Sequence, residues 1–541
     1  MEAKKQIQLL RDGKKLPPLK KKRIILPGGD KTINQVAKDV GEVLADSFRF
    51  YNRGNTVMYL TTESNGEHLL REVKATEFAS DIENYCEVFK TNAKNGSSTE
   101  VATICHRQTA DLLINARVLC ETLPEISIIT PCPVIVREDE GINVISGYSE
   151  TFKVLASSWP VEQPTLEQAI RHLTNIFRDF NFTTEADKSR ALAAMMTPAM
   201  VHGGMITGRA PAFVVEADRS QAGKGYLVNV ICQIYGMTPS TITQKKRGIG
   251  SIEESFNSAL IRGRAIINID NVRGRLDSPE LESALTEELH SARVAYHCDI
   301  DIDMTRIVVF LTSNQANLTT DLSNRSCSIS LRKQPVEYEW HKWREGNIIN
   351  HVRRNKSLYL GCVFEIISEW IRRGCPTTGE QRHTFRGWCQ AVDWIVQNLF
   401  NQPSIMDNHE QTQLRLSNPH IVWLREVALL IIKNEKQVGD WLRAGDLVSL
   451  LADESLDIPG LEDTANIEDD DVFTRATRLV GKKMASCFRS ASNTNYEDEP
   501  AELLMVDNIA CYRHTESCYR QGRGTYDVKE YLFREAEELP F

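Results

Sequence analysis

Apolar residues recur along this chain of 541 residues at three spacings, helical, alternating and continuous, and each predicts an element. Between Thr32 and about Ser158, INQVAKDVGEVLADSF has helical spacing, whereas NTVMYLTT and ISIITPCPVIV read as strands. Residues 31–160 are therefore expected to form an α+β N-terminal domain. Leu166 to about Thr197 returns to helical spacing and leads into PAFVVEA, a short apolar strand. From there to Arg332 the apolar runs AIINID, RIVVFLTSN and CSISLRK alternate with helical segments, as a parallel sheet covered on both faces requires. This α/β core is expected over 161–335. Trp340 to about Phe400 reads as helical, with GCVFEIISEWIRRG and FRGWCQAVDWIVQNLF as amphipathic segments. In the remainder, 416–541, VGDWLRAGDLVSLLADES and TRATRLVGKKMASCFRS read as helices, and ELLMVDNIACYRHTESCYRQGRGTYDVKEYLF as two strands around a basic loop. There is no internal repeat, and the expected class is multidomain α/β.

The strand PAFVVEA runs into Asp218-Arg219-Ser220-Gln221-Ala222-Gly223-Lys224-Gly225-Tyr226, and YLVNVICQIYG follows as a helix. A strand, a short loop and Gly-Lys opening a helix is what a polyphosphate needs: backbone N–H groups point inward at a helix N-terminus, and a lysine reaches the outer phosphates. Gly223 allows close approach and Lys224 neutralises β/γ oxygens. Two positions depart from the usual loop, Asp218 in place of its first glycine and Gly225 in place of the Ser or Thr after the lysine. The magnesium contact then falls to Ser220 or a water. AIINID ends in Asp270, a carboxylate at a strand tip able to hold magnesium directly or through water. Asn271 follows where many such enzymes carry a glutamate base, and it either orients the attacking water or leaves that role open. RIVVFLTSN ends in Asn314, which either senses the γ-phosphate or simply forms a turn. Arg325 precedes the next apolar strand.

Composition narrows the setting. A chain of this length exceeds one hydrophobic core. Its thirteen cysteines are scattered, without a CxxC pair or a Cys/His cluster at zinc spacing, and read as free thiols of a reducing cytosol. No apolar run reaches the length of about eighteen residues that a membrane span needs, and the basic first thirty residues, with Lys20-Lys21-Lys22-Arg23, precede no signal-peptide core. They read as a flexible basic tail (1–30), the other reading being a nucleic-acid arm. The expected location is cytoplasmic, with no membrane partner. A net charge of −9 disfavours polyanion binding over the whole surface, so nucleic acid must meet local basic patches.

The order PAFVVEADRSQAGKGYL, AIINIDNVRGRLDSPELESALTEELHSARV, VVFLTSNQANLTTDLSNRSCSISLRK resembles the AAA+ helicase module of phage, plasmid and genomic-island replication proteins, related to superfamily 3 helicases and, more distantly, to minichromosome-maintenance motors. The likeness is closest over the motor and looser on both flanks. PCPVIVREDEGINVISGYSETFKVL resembles the segment preceding this motor in phage primase-helicases, and no primase signature stands in residues 1–160. Downstream, TFRGWCQAVDWIVQNLF resembles the helical lid that follows it, which implies that 336–415 is a helical lid and linker. The resemblance implies ATP and Mg2+ as cofactors, Lys224, Asp270, Asn271, Asn314 and Arg325 as catalytic residues, and a ring, expected as a hexamer, in which Arg325 reaches the neighbour's nucleotide. A separate primase becomes a possible partner.

Members of that family grip single-stranded DNA with a hairpin between the metal aspartate and the strand-end asparagine. Here it maps to ELHSARVAYHCDIDIDM, where His290, Arg293 and His297 are available; equally, His297 sits on a strand face and Arg293 pairs with a carboxylate. The C-terminal pattern is that of a winged helix, resembling the tail that follows such motors. Arg475, Arg478, Lys482, Lys483 and Arg489 suit a groove, and Arg513, Arg520 and Arg523 suit the flanking phosphates; otherwise the basic face is solvated and the domain contacts protein. The acidic run Glu468-Asp469-Asp470-Asp471 is expected as a flexible loop shielding the basic helix. The leading expectation is an ATP-dependent DNA helicase in replication initiation or fork unwinding of a phage or mobile element. The alternatives are a DNA-bound AAA+ switch or loader, and a nucleotide-binding scaffold without hydrolysis.

Overall fold

A computed structural model describes residues 21–28, 31–64, 66–94, 97–139, 141–217, 221–243, 251–272, 275–293, 299–314, 316–417, 419–433, 438–453, 469–488, 491–496, 499–506, 509–520 and 524–535. They form a multidomain α/β protein that divides into two compact units, one of 1–273, 278–316 and 325–407, the other of 274–277, 317–324 and 408–541.

The first unit begins with β1 (Lys22–Ile25) and α1 (Ile33–Asp46), which starts where Thr32 and Gln35 exchange side-chain and backbone hydrogen bonds in a capping box. A three-stranded antiparallel sheet follows, β2 (Phe50–Arg53), β3 (Thr56–Thr62) and β4 (His68–Glu72). Next come α2 (Ala75–Tyr85), β5 (Cys86–Lys94), β6 (Ser97–Ala102), α3 (Arg107–Ile114) and α4 (Arg117–Thr122). Val36, Val40 and Leu44 of α1 pack with Phe50, Phe78, Ile82 and Leu119 in a core of their own. Short strands β7 (Ile128–Thr130), β8 (Val134–Glu138), β9 (Gly141–Ile145), β10 (Gly147–Ser149) and β11 (Val154–Ala156) lead onward.

The apolar periodicity from Leu166 breaks into two helices, α5 (Leu166–Asn175) and α6 (Glu185–His202), because Asn181 and Phe182 form β12 (Asn181–Phe182) on the edge of the main sheet. Thr184 and Asp187 cap α6, which is buried on almost every side beneath that sheet. The sheet contains β13 (Ala212–Ala217), β14 (Ser240–Thr243), β15 (Ile266–Val272), β19 (Val308–Ser313) and β21 (Ser326–Arg332) in the order β12-β21-β13-β19-β15-β14, all parallel except β12. Its central strands are buried on both faces, which accounts for their continuous apolar runs. Between them in the chain lie α7 (Lys224–Ile234), α8 (Ile252–Ile261), α9 (Pro279–Ala284) and the hairpin β17 (Leu289–Ala292) and β18 (Ile300–Asp303), while β16 (Arg275–Leu276), its partner β20 (Asn317–Leu318) and α10 (Thr320–Asn324) belong to the second unit. The turn between β2 and β3 rests on β18: a Cβ at Gly54, whose φ is +53°, would come within 2.6 Å of the Asp301 carbonyl.

Residues 340–347 are not helical as expected; α11 (Ile348–Arg354) begins only at Asn347, whose side chain caps it, and α12 (Lys356–Arg372) and α13 (Arg386–Leu399) follow. The second unit carries α14 (His409–Ser417), α15 (Pro419–Lys433), β22 (Leu442–Arg443), α16 (Ala444–Asp453) and α17 (Asp470–Cys487). The two expected C-terminal strands are in fact part of a longer antiparallel meander, β23 (Ser492–Tyr496), β24 (Glu499–Val506), β25 (Ile509–Arg520) and β26 (Gly524–Glu535), in the order β22-β26-β25-β24-β23. Asp507 and Asn508 break the apolar run there, so the chain reverses once more than its hydrophobic spacing suggested. Leu424, Val427, Leu447, Val480, Met484, Cys511 and Phe533 fill this unit's core.

Candidate functional site

β13 is buried along its length, and its continuation reaches α7 through Gln221 and Gly223, both left-handed with φ of +65° and +93°. Gly223 is the N-cap of α7, so its freedom at positive φ is what turns the loop into the helix. Asp218 and Ser220 lie outside the described residues. Ala222, Gly223, Lys224 and Gly225 are half-buried, while Gln221 and Tyr226 are exposed. No atom stands within 4 Å of a Cβ built on Gly225, which leaves space in front of the first turn of α7.

Lys224 Nζ donates to Asn314 Oδ1 at 2.5 Å, joining two residues ninety positions apart. Strand order makes this contact possible, because β13 and β19 are parallel neighbours and both residues follow their carboxyl ends. On the far side of β19, Asp270 stands near the end of β15. Its Oδ1 accepts from Thr312 Oγ1 at 2.6 Å, and the same hydroxyl oxygen accepts from the Asn271 N–H at 2.8 Å. The register slips by one residue between Ile269 and Val272, and Asn271 adopts φ +55° there. This bulge turns Asn271 outward to solvent while Thr312, buried, holds the Asp270 carboxylate in orientation. Thr312 was missed in the sequence, where it is one apolar-strand residue among several; only cross-strand register reveals it.

Arg325 is not brought to this cluster. It immediately precedes β21, whose first residue pairs with Ala212 at the start of β13, so it stands at the opposite edge of the sheet from Lys224. Six strand residues separate those edges, roughly 20 Å at the rise of a parallel strand. Within one chain Arg325 cannot serve the site at Lys224.

Beside the loop lies a cavity of about 330 Å³, lined by Phe180, Gln221, Gly223, Tyr226, Trp340 and Trp343 among others. Asp179 anchors its far wall: its carboxylate accepts from Tyr338 Oη at 3.0 Å and from the His341 N–H at 3.2 Å. Those bonds tie down 338–341, and 340–343 are irregular where helix was expected. The density of aromatic residues from Tyr338 to Trp343 was the available signal for this pocket.

The residues are chemically suited to a nucleoside triphosphate. An α7 N-terminus opened by Gly223 and Gly225 with Lys224 between them matches phosphate, and the adjacent aromatic cavity matches a base. Magnesium takes one or two carboxylates and completes its shell with phosphate and water, which Asp270 alone satisfies. Among the described residues no group of three or more His, Cys, Asp or Glu could hold a metal without such a substrate.

Several expected nucleic-acid contacts need correction. His290 is buried, with Nε2 3.0 Å from Asn257 Oδ1, and burial holds its pKa below the usual value despite Glu280 and Glu287. It belongs to the base of the hairpin. Arg513 is buried too, paired with Glu502 and lying 4.9 Å over the Phe488 ring. Arg293 remains exposed at the end of β17, 3.7 Å from Asp299, and His297 lies outside the described residues. On α17, Arg475, Arg478 and Lys482 are exposed at helical spacing along one face, whereas Lys483 is half-buried over Trp423 at 5.8 Å. Arg489, Arg523 and the Arg520 side chain lie outside the described residues. The acidic run is partly structural: Asp469 caps α17 by accepting from the Asp471 and Val472 N–H groups, and Asp470 and Asp471 offset its dipole.

The described cysteines are free thiols, all buried except the half-buried Cys375. No helix among the described residues is long and apolar enough to cross a membrane. No family model matches the chain, and no curated protein matches it. Among solved structures it is similar to "SCCmec type IV Cch - active helicase", at 11% identity and a TM-score of 0.26, over 89% of this chain and 97% of that one. A likeness of that degree decides nothing about this chain, whose chemistry is read from the geometry of the site alone.

Proposed function

We propose that this chain is an ATP-driven DNA helicase of AAA+ type, with Mg2+ as cofactor, working as a ring, expected as a hexamer, in replication initiation or fork unwinding of a phage or mobile element. The observation that carries the reading is the Lys224–Asn314 contact with Asp270 on the next strand, three predicted residues converging at the carboxyl ends of β13, β19 and β15. Crevices at the carboxyl ends of parallel strands are where such sheets bind ligands.

In this proposal the N–H groups opening α7 and Lys224 bind the β/γ phosphates, and the base enters the aromatic cavity beside Gly223 and Tyr226. Bound magnesium neutralises charge on the phosphates, and Asp270, oriented by Thr312, holds it directly or through water; Gly225 offers no hydroxyl for that purpose. Asn314, now bonded to Lys224, turns to the γ-phosphate, and Asn271 faces the attacking water. The water oxygen bonds to the γ-phosphorus as the bond to the β,γ-bridging oxygen breaks, and with no carboxylate base at Asn271 the water proton passes to a γ-phosphoryl oxygen, so that ADP and protonated phosphate leave. Arg325 supplies charge to the neighbouring subunit's nucleotide, which explains its place at the far edge of its own sheet. Single-stranded DNA meets Arg293 at the hairpin, and duplex DNA meets the α17 face of a winged-helix domain.

Forked-duplex unwinding tests this: ATP-dependent strand separation lost in Lys224→Ala is the expected result, and an assembled, ATP-hydrolysing protein that never separates strands would sink it. A second reading, a slow DNA-bound switch or loader, is favoured by Asn271, which leaves no carboxylate next to Asp270. Strong stimulation of hydrolysis by single-stranded DNA supports the motor; indifference supports the switch.

A further inference from the structure

A second cavity, of about 230 Å³, opens in the N-terminal part of the first unit, away from every residue of the phosphate loop. Its walls include Phe48 and Arg49 from the turn between α1 and β2, Tyr51 of β2, His68 of β4 and Tyr148 of β10. Phe48 holds φ +53°, a left-handed conformation that a glycine or asparagine would adopt with less strain. Bulky residues kept in that region mark places where a side chain's position matters.

The aromatic walls are fixed. Tyr51 and Tyr148 meet with ring centroids 5.7 Å apart, and their hydroxyls donate to the carbonyls of Phe48 at 3.2 Å and Glu125 at 2.7 Å. Tyr51 is fully buried and backs Tyr148, so the ring faces left for stacking are those of the half-buried Tyr148 and Phe48. His68 is held by Thr62 at 3.0 Å. Arg49 contributes its backbone to the fold, its carbonyl accepting from the Leu60 N–H, but its guanidinium meets no carboxylate among the described residues. Its charge is felt inside the cavity, since after burial it is the next cause lowering the His68 pKa. Two acids act on Tyr148, Glu150 and Glu125; Lys153 pairs with Glu125 at 2.7 Å, and among the described residues Arg49 is the cation that faces the cavity. His68, Ile129 and Ser157 also line a smaller neighbouring cavity.

A half-buried arginine without an acid, beside fixed aromatic faces in a cleft below the roughly 300–1,000 Å³ of drug-sized sites, selects a small, flat, anionic ligand. We infer that this cleft binds one nucleotide unit, its base stacked on Tyr148 and Phe48 and its phosphate on Arg49. Stacking on aromatic side chains with backbone charge on arginine is how single strands are held without sequence preference. The unit comes either from a single strand threading the cleft or from a free nucleotide, and the chemistry is the same for both. The inference stands apart from ATP hydrolysis, because none of these residues belongs to the phosphate-loop site.

The test uses the full chain carrying Lys224→Ala, to silence the phosphate loop, Arg293→Glu, to silence the hairpin, and Arg475→Glu, Arg478→Glu and Lys482→Glu, to silence α17. Binding of fluorescein-labelled oligothymidylate is read by anisotropy and binding of free thymidine monophosphate by calorimetry, with thermal melting as the check of folding. Adding Tyr148→Leu or Arg49→Gln is expected to weaken binding of at least one probe about tenfold, within the range for loss of one stacked base. Loss confined to the oligonucleotide identifies a strand, and loss for both probes identifies a free-nucleotide site. Unchanged affinity for both probes in both folded variants overturns the inference, as does failure of both probes to bind the parent.

Discussion

Thr312 shows how little of a site one residue's identity conveys. Its hydroxyl donates to Asp270 and accepts from the Asn271 N–H, so one buried side chain fixes the carboxylate and the bulge together. Thr312→Val keeps the volume and removes the hydroxyl, leaving Asp270 free to rotate. ATP turnover is expected to fall about tenfold or more, from the loss of one hydrogen bond of roughly 1.5–3 kcal/mol to a charged group, and melting temperature to fall by a few degrees because the Asn271 N–H also loses its acceptor. Steady-state hydrolysis at saturating Mg2+ checks this, and unaltered turnover would remove Thr312 from the site. Two histidines govern a different property. Burial lowers the pKa of His202 to about 3 and of His383 to about 4, against 6.5 for a free imidazole. Both stay neutral in the fold, whereas the unfolded chain protonates them below pH 6.5. Their folded pKa values are depressed, so the fold loses stability as pH falls from 6.5 towards 4, by up to about 1.4 kcal/mol per pH unit for each. Melting of the first unit is expected to drop over that window, and His202→Gln, which keeps a donor without the titration, is expected to flatten the slope.

At the scale of elements, caps and periodicity were readable and packing was not. Thr32/Gln35 and Thr184/Asp187 cap their helices by a local exchange of hydrogen bonds, a signal present in the sequence, although apolar spacing alone ran through Thr184 without a break. The irregular course of 340–343 was hidden, since its partner Asp179 lies about 160 residues earlier. The same holds for basic side chains: Arg475 and Arg513 look alike in sequence, yet one is exposed on α17 and the other is buried against Glu502 and Phe488. The exposed face of α17 makes a direct prediction. Reversing Arg475, Arg478 and Lys482 to Glu is expected to weaken duplex binding and reduce the slope of log affinity against log salt by about 0.9 for each phosphate that is no longer neutralised. A titration from low to moderate salt decides it, and an unchanged slope would assign α17 to protein contacts instead.

For the whole molecule, the position of Arg325 carries the consequence. It stands at the amino end of β21, while Lys224, Asp270 and Asn314 gather at the carboxyl ends of parallel strands. A ring predicts that Arg325→Ala and Lys224→Ala are each inactive alone but that mixed assemblies regain part of the ATPase, because each mutant supplies what its neighbour lacks. Hydrolysis that stays absent in every mixture would show that Arg325 does not act between subunits. By itself the sequence determined the α/β alternation, the strand ends bearing Asp270 and Asn314, and the loop around Lys224, since apolar runs, glycine and helix N-termini are local signals. Only the tertiary structure decided that β19 lies between β13 and β15, and hence that Lys224 meets Asn314 and Thr312 meets Asp270. It also decided that His290 and Arg513 are interior and that aromatic clefts form beside Gly223 and Arg49. Strand order and burial depend on contacts between residues far apart in the chain, and hydrophobic spacing within a segment does not encode which distant segment will cover it.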